Sequence, residues 1–305
     1  MPLFLLRRGL AALLLVFAVT SGALLLAQLA PGDYAGDFGM SKDQVAAERH
    51  RLGLDKPFAE QYTGWLKRTL TLDFGESFQH RRPVMDLVRE RAVNTAILAV
   101  TALIVATLLG IPAGVFTGSR RGGVAARLLR GTSLVLLSVP PLISSLVLLT
   151  IAARTGWLPV SGMGGVSHLI VPTLALALPV AAMLERLQAQ SIGDALSRPS
   201  ATAARARGIP GARVLWRHGW RQSLGPILAV YGVIIGSLFS GSFAVEMVTS
   251  WPGLAELMRQ ALMARDTYLV AGCAAAGAAF LAAGVLAADV AQALADPRLD
   301  GATGA

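Results

Sequence analysis

Long apolar segments alternate with short arginine-rich loops along this chain. A helix that crosses a bilayer needs about 20 consecutive, mostly apolar residues, and the apolar pattern supplies six segments of this kind. They run over 9–30, 95–116, 131–153, 168–189, 226–245 and 271–293. Several contain residues that kink or break a helix, which neighbouring helices can compensate for in a membrane. Gly110 and Pro112 are kink points in the second segment, and Pro140 and Pro141 break the third. The pattern therefore predicts an all-α membrane protein with six transmembrane helices.

The first apolar segment follows Arg7 and Arg8. A cleaved signal peptide is the alternative interpretation, but its apolar core is typically 7–15 residues long and ends at a small-residue cleavage site. The segment here is longer and has no clear Ala-x-Ala site. We therefore expect a retained transmembrane helix over 1–30, with the N-terminus in the cytoplasm.

Charge separates the loops into two kinds. The loop after the second segment carries Arg120, Arg121, Arg127 and Arg130 with no acidic residue, whereas acids and bases balance over 31–93. Because arginine and lysine favour the cytoplasmic side of a membrane, we expect 31–93 to be an external segment. The domains predicted are that segment, a five-helix core over 94–298 with a cytoplasmic elbow at 199–222, and a tail over 299–305.

Composition supports the membrane assignment and excludes other classes. Of the 305 residues, 54% are hydrophobic and only 15% are charged, with a mean hydropathy of +0.59. The net charge of +9 comes from arginines in short loops between apolar segments, which membrane orientation explains without nucleic acid. The lone Cys273 excludes a disulfide framework.

The elbow is a basic stretch between two apolar segments. Ala203, Ala204 and their arginine neighbours favour helix, and Gly208 suits the left-handed position that ends one. Pro210 fits the start of a second helix, where a missing N–H costs nothing. The sequence thus predicts a helix–Gly–helix elbow, with Ala204 and Gly208 on one face that another surface approaches closely.

This spacing of alanines and glycine resembles the cytoplasmic "EAA" loop of ATP-binding-cassette importer permeases, although Thr202 and Arg221 depart from the pattern. The resemblance implies that the loop docks into a groove on a separate ATPase subunit. A basic loop lying on lipid headgroups is the alternative. The implied coupling residues are Thr202, Ala203, Ala204, Arg205, Arg207, Gly208, Ile209 and Arg213.

Two external stretches resemble the peptide/nickel branch of this permease family. They are LGLDKP…DFGESF…RPV in the first external segment and VEM…WPGL…ARD after the fifth span; the ending ADPRL adds to them. The second stretch implies an external gate or a contact with a binding protein at Glu246, Trp251, Pro252, Gly253 and Asp266. Packing and capping at the end of a span is the alternative for these residues. The bulky ring of Trp251 is expected at the membrane interface.

The resemblance implies a type I ABC importer permease of the dipeptide, oligopeptide and nickel class, the first permease of its pair. Implied partners are a homologous second permease, two ATPase subunits, an extracytoplasmic binding protein and the bilayer of the bacterial plasma membrane, with both termini cytoplasmic. Lys42, Lys56 and Lys67 do not follow a glycine, so no phosphate-binding loop exists in the chain. We therefore expect no enzyme activity, metal or cofactor here, with ATP and Mg²⁺ on partner subunits.

Three questions stay open at this level. Di- or oligopeptides are the first expectation for the substrate, with nickel chelates, glutathione or opines as alternatives. An ion-coupled secondary transporter is the rival class, but such proteins tend to have internal repeats and charges at the midplane, which the sequence lacks. Glu185 and Arg186, near the cytoplasmic end of the fourth segment, are either a substrate or proton site or charged side chains that snorkel to the membrane surface and pair with each other.

Overall fold

The structure, a computed structural model, describes residues 2–29, 42–52, 55–69, 71–120 and 122–295. These residues are helical almost throughout, and their one β-like contact is an isolated bridge between Glu76 and Pro83. The predicted all-α class is therefore confirmed. The helices are α1 (Pro2–Leu29), α2 (Lys42–Leu52), α3 (Phe58–Thr69), α4 (Val84–Ser119), α5 (Val124–Ser138), α6 (Pro141–Thr155), α7 (Val166–Ser197), α8 (Pro199–Ala206), α9 (Gly211–Val214), α10 (Arg221–Thr249), α11 (Leu254–Met263) and α12 (Thr267–Ala295).

Five helical stretches of the described chain are long and apolar enough to cross a membrane. They are Leu6–Leu29, Val84–Ser119, Val166–Ser197, Gly211–Thr249 and Thr267–Ala287. Helices α5 and α6 form a sixth candidate together, bent by 106° at a short break. The six predicted spans are therefore found when this bent pair counts as one.

The break between α5 and α6 lies at the predicted proline pair. Val139 is extended, with φ −96° and ψ 115°, as is common for a residue before proline. Pro140 caps α6 and Pro141 occupies its first turn, where a missing N–H disrupts no helical hydrogen bond. The two prolines thus end one helix and start the next.

Some helices extend beyond their apolar segments. Helix α4 begins at Val84, so the last part of the predicted external segment 31–93 belongs to this long helix. Similarly, helix continues without interruption from Gly211 to Thr249, although the apolar segment starts only at Pro226. Hydrophobicity alone therefore gives the membrane-crossing part of a helix and not its ends.

The described residues form two compact units. One holds residues 97–251 with both ends of the described chain, and the other holds residues 6–96 and 252–282. In the first, α7 packs against α5, α6 and α10, and it contains the largest share of the buried side chains. Leu98, Leu176, Leu184, Ile234 and Leu238 are fully buried members of this core.

Glycines at every fourth position bring α4 close to α7 within this first unit. A Cβ atom on Gly110, Gly114 or Gly118 would lie 2.5 Å from the backbone oxygen of Ala181, Glu185 or Ala189, respectively. This separation is too short for any side chain, so the two backbones are in direct contact. Gly110, predicted as a kink point, therefore serves close packing.

The second unit has its own apolar cluster, in which Leu24, Trp65 and Ala271 are buried. The amphipathic α3 contributes Trp65 on one face and Tyr62 one turn earlier. The Tyr62 hydroxyl donates to Ser21 Oγ of α1 at 3.1 Å. Helix α3 therefore lies against α1, and its apolar face is buried, as is expected of an amphipathic helix.

Candidate functional site

The elbow turns at Gly208. This residue has φ +75°, the left-handed conformation predicted for it, which only glycine adopts at low cost. Its N–H donates to the Arg205 carbonyl at 2.9 Å, and the next N–H, that of Ile209, donates to Ala204 at 3.2 Å. Both bonds use carbonyls that the end of α8 would otherwise leave unpaired.

The second arm of the elbow starts at Pro210, also as predicted. Pro210 precedes α9, and its carbonyl accepts hydrogen bonds from the N–H groups of Arg213 and Val214, at 2.9 and 3.1 Å. A proline at this position fixes the backbone angle φ, and it has no N–H group that would need a hydrogen-bond partner. Gly208 and Pro210 together define a corner with a fixed backbone.

A small apolar core holds the two arms together. Ala201 and Ala204 of α8 and Val214 of α9 are completely buried, with Leu196 and Ile209 packed around them. The predicted open face shared by Ala204 and Gly208 is therefore not found. Ala204 is covered by the chain itself, whereas a Cβ on Gly208 would meet nothing within 4 Å.

The exposed side of the elbow is strongly basic. Of the predicted coupling residues, Thr202, Ala203, Arg205, Arg207, Gly208 and Arg213 are exposed and Ile209 is half-buried. Residues 198–221 contain no acidic side chain, and their arginines are Arg198, Arg205, Arg207, Arg213, Arg217 and Arg221. The elbow therefore presents a positive surface on a small rigid scaffold.

The second arm is mechanically continuous with a membrane span. A π-helical turn at Leu215–Trp220 joins α9 directly to α10, with helical backbone angles on both sides of the junction. Single π turns inside long helices often occur at functional sites. A displacement of the second arm therefore passes into α10 without an intervening loop.

A buried polar contact connects this junction to α7. The side-chain amide of Gln188 donates to Ser223 Oγ at 2.9 Å, and the Ser223 hydroxyl donates to the Trp220 carbonyl at 2.9 Å. Gln188 and Ser223 are both fully buried. A hydrogen bond in such surroundings is costly to lose, because the separated groups have no access to water.

Glu185, one turn before Gln188, is also buried. Its Oε1 accepts a short hydrogen bond from the Thr117 hydroxyl of α4, and its Oε2 has no partner among the described residues. Arg186 is exposed and does not pair with Glu185. The predicted mutual pairing is wrong because consecutive residues of a helix point in different directions.

The predicted external-gate residues lie inside the protein. Glu246 and Trp251 are buried, with 0% and 3% of their surfaces exposed, and the Trp251 N–H donates to the Glu246 carbonyl at 3.0 Å. Ser250, between them, has φ +51° and ends α10. Trp251 therefore packs into the core of the first unit, and the interface position expected for its ring is not observed.

The following two residues start α11. Pro252 is half-buried, and its carbonyl accepts a hydrogen bond from the Asn94 amide at 2.8 Å. Gly253 is the buried cap residue of α11, and the next N–H, that of Leu254, donates to Thr95 Oγ1 at 2.7 Å. Side chains of α4 thus hold the WPGL turn in place.

Asp266 connects the two external motifs inside the second unit. Its Oδ2 accepts hydrogen bonds from the Ser77 hydroxyl at 2.6 Å and the Gln79 N–H at 3.1 Å. Its Oδ1 caps α12 by accepting from the Leu269 N–H at 3.1 Å. Burial raises the pKa of this carboxyl, while the three bonds act in the opposite direction. The DFGESF loop is therefore fixed to the ARD turn.

Sequence reasoning missed five polar residues at these sites. They are Ser77, Thr95, Thr117, Gln188 and Ser223, each buried and bonded to a distant part of the chain. The available signal was a glutamine inside an apolar segment, since a buried amide in a membrane needs a partner. The identity of the partner is a property of the fold, because Ser223 is 35 residues away.

Two family models cover most of the chain. Residues 110–301 match the model described as binding-protein-dependent transport system inner membrane component. Residues 1–99 match the corresponding N-terminal model. The matches therefore include the elbow, the WPGL turn and the first external segment.

Characterised relatives are similar over nearly their full lengths. The chain is 29% identical over 315 residues to the oligopeptide transport system permease protein AppB of Bacillus subtilis strain 168. This alignment covers 98% of this chain and 100% of the relative. The chain is 32% identical over 267 residues to the glutathione transport system permease protein GsiC of Escherichia coli strain K12, covering 86% and 87% of the two chains.

Proposed function

Since the chain belongs to the family of binding-protein-dependent transport system inner membrane components, we propose that it moves short peptides from an extracytoplasmic binding protein into the cytoplasm. Membership makes it the multi-pass permease subunit of an ATP-binding-cassette importer, which is a transport subunit without enzyme activity. The ion-coupled alternative is set aside, because the family's transport depends on a binding protein.

The elbow carries the mechanistic part of this proposal. Its corner has a fixed backbone at Gly208, its two arms are locked by a buried core, and its second arm continues into a membrane helix. We infer that the exposed arginine face and the Gly208 corner dock into an ATPase groove. Movement of that groove is then delivered to α10 through the second arm, and to α7 through Gln188 and Ser223.

The proposed assembly follows the resemblance. Two ATPase subunits bind ATP and Mg²⁺, a homologous second permease completes the translocation path, and a binding protein delivers the substrate. Both termini are placed in the cytoplasm, since the arginine-rich loops then face inward. The membrane is the bacterial plasma membrane, and this chain holds no metal or nucleotide.

The outer motifs have a positioning role in this proposal. Glu246, Trp251, Gly253 and Asp266 are buried, so they do not offer their side chains to a binding protein in the present conformation. They hold the DFGESF loop and the WPGL turn in fixed positions instead. We place the external gate and binding-protein contact on the exposed surface that these turns support.

A peptide substrate is supported by the names of both relatives, one an oligopeptide and one a glutathione transporter. Glutathione is the second candidate for this chain, favoured by the 32% identity to GsiC. The test is uptake by the complete importer in vesicles, with radiolabelled oligopeptides, glutathione and a nickel chelate compared at equal concentration. Uptake of nickel chelate alone would contradict the peptide proposal.

A further inference from the structure

A cavity of about 770 Å³ lies between the carboxyl end of α4 and the second arm of the elbow. Both walls belong to the first compact unit. Val115 and Phe116 form the α4 side, and Leu215, Trp216 and Trp220 form much of the other side. The volume lies within the range of about 300–1,000 Å³ found for small-molecule sites.

Two arginines line this otherwise apolar space. Arg120 follows the last residue of α4, and its guanidinium lies over the Phe116 ring, 5.0 Å from the ring centroid. Arg205 enters from α8. Within the described chain neither guanidinium has an acidic partner. The cavity therefore combines an apolar wall with two positive charges that lack a counter-anion.

The position of the cavity specifies the kind of ligand. Helix α4 is a candidate membrane span that ends at Ser119, so Arg120 lies where the apolar interior gives way to the headgroups. Trp216 and Trp220, in edge contact with a centroid distance of 5.8 Å, are residues that favour this boundary. An occupant must therefore be apolar toward α4 and anionic toward the arginines.

We propose that this cavity binds an anionic phospholipid. The phosphate lies between Arg120 and Arg205, and an acyl chain lies along Val115, Phe116 and Leu215. Basic pockets beside transmembrane helices bind anionic headgroups elsewhere, and charge complementarity favours such a lipid over a zwitterionic one. The bound lipid would bridge a membrane span and the elbow, and Arg205 would then contact this headgroup rather than the ATPase groove.

Native mass spectrometry of the assembled importer tests this directly. The complex is titrated with phosphatidylglycerol and, separately, with phosphatidylcholine of the same acyl chains. We expect preferential retention of phosphatidylglycerol, reduced about ten-fold or more in the double variant R120Q/R205Q. Each basic residue near an anionic headgroup contributes roughly five-fold in affinity. The readout is independent of transport activity.

The matched control is the double variant R127Q/R217Q. Both residues are exposed and lie outside the cavity lining, so the same charge is removed from the same region of sequence. Phosphatidylglycerol retention should stay at the wild-type level. Equal losses in the two double variants, or no preference between the two lipids, would overturn the proposal.

Two further outcomes would also overturn it. Displacement of the lipid by soluble glycerol 3-phosphate at equal concentration would mean that the apolar wall contributes nothing. The variant Ala212→Cys, altered at a position that also lines the cavity, would instead form a disulfide cross-link to a single introduced cysteine of the second permease. That result would identify a protein segment as the occupant.

Discussion

The buried side-chain amide of Gln188 on α7 donates a hydrogen bond to the hydroxyl of Ser223 on α10, with 2.9 Å between Nε2 and Oγ. The Ser223 hydroxyl in turn donates to the carbonyl of Trp220, the last residue of the π turn in the second arm of the elbow. This contact is the polar connection between the central helix and the base of the second arm. It lies where movement of the elbow enters the membrane helices.

Replacing Ser223 with alanine should destabilise the permease and weaken coupling. The Gln188 amide loses its acceptor inside the core, which costs about 1–3 kcal/mol for a buried unpaired group. We expect a lower thermal midpoint for the purified importer and a smaller stimulation of ATP hydrolysis by loaded binding protein. Both are measured on the same preparation.

Ser237→Ala is the matched control for this change. Ser237 lies on the same helix, but among the described residues its hydroxyl bonds only to the Ile234 carbonyl one turn earlier, so little should change. The pair Gln188→Leu with Ser223→Ala should regain part of the lost stability, because no unpaired polar group then remains. A double variant less stable than either single variant would contradict this account.

Gly114→Ala should be strongly destabilising. Its Cβ would lie 2.5 Å from the Glu185 carbonyl oxygen and 2.6 Å from Gln188 Cβ, so α4 and α7 must separate. Overpacking of this kind typically costs about 1–3 kcal/mol. Gly131→Ala on α5 meets nothing within 4 Å and should be neutral or slightly stabilising. Thermal midpoints of the two variants should therefore move apart; equal midpoints would show that α4 tolerates displacement.

The contribution of the Asp266 carboxyl to folding stability should decrease as pH rises. Burial raises the pKa of this carboxyl in the folded protein, so the folded state binds the proton more tightly than the unfolded state. Its contribution is present below the ordinary aspartate pKa of about 3.9 and is lost as pH increases through the raised value. The difference in thermal midpoint between wild type and Asp266→Asn should therefore decrease with increasing pH.

Glu256 provides a comparison with the opposite sign. Arg259 contacts it through two hydrogen bonds, of 2.6 and 2.8 Å, which lower the pKa of the Glu256 carboxyl. Its contribution is present above the ordinary glutamate pKa and is lost as pH falls through the lowered value. The advantage of wild type over Glu256→Gln should thus grow with pH, and parallel trends for the two variants would contradict the assignments.

Sequence reasoning gave the elements that local physics determines. The apolar segments located the spans, Pro140 and Pro141 located the break, and Gly208 was correctly assigned a left-handed conformation. Sequence reasoning gave the wrong exposure for residues whose burial depends on tertiary packing. Trp251 is a residue type that favours the membrane interface, but here it is buried in the core of the first unit, and Ala204 is buried in the small core that it forms with Val214 of the second arm.

Membrane orientation is tested by reporter fusions. Because Arg120, Arg127 and Arg130 lie between the end of α4 and the first turns of α5, and the elbow contains five arginines, fusions near Gly122 and Gly211 should report the cytoplasm. A fusion near Gly64 of α3 should report the external side. Alkaline phosphatase and green fluorescent protein give complementary signals at each position. An external signal at Gly211 would exclude docking of the elbow to a cytoplasmic ATPase.

Gly208→Val should uncouple the importer while the permease still inserts into the membrane. A Cβ atom there meets no neighbour within 4 Å, so the main effect within this chain is on the backbone. A β-branched residue at φ +75° costs on the order of 1–2 kcal/mol, and the corner should relax to a different angle. Docking to the ATPase groove should weaken, so substrate-stimulated ATP hydrolysis and uptake should both fall, whereas membrane insertion should not change.

Two comparisons separate the geometry of the corner from side-chain bulk. Gly208→Asn should keep more coupling than Gly208→Val, because asparagine visits the left-handed region more readily. Gly122→Val adds the same side chain in open space at a position without positive φ and should behave like wild type. Arg207→Ala should have a smaller effect than Gly208→Val, since an exposed charge contributes roughly 0–1 kcal/mol. Wild-type stimulation in Gly208→Val would exclude the elbow as the coupling element.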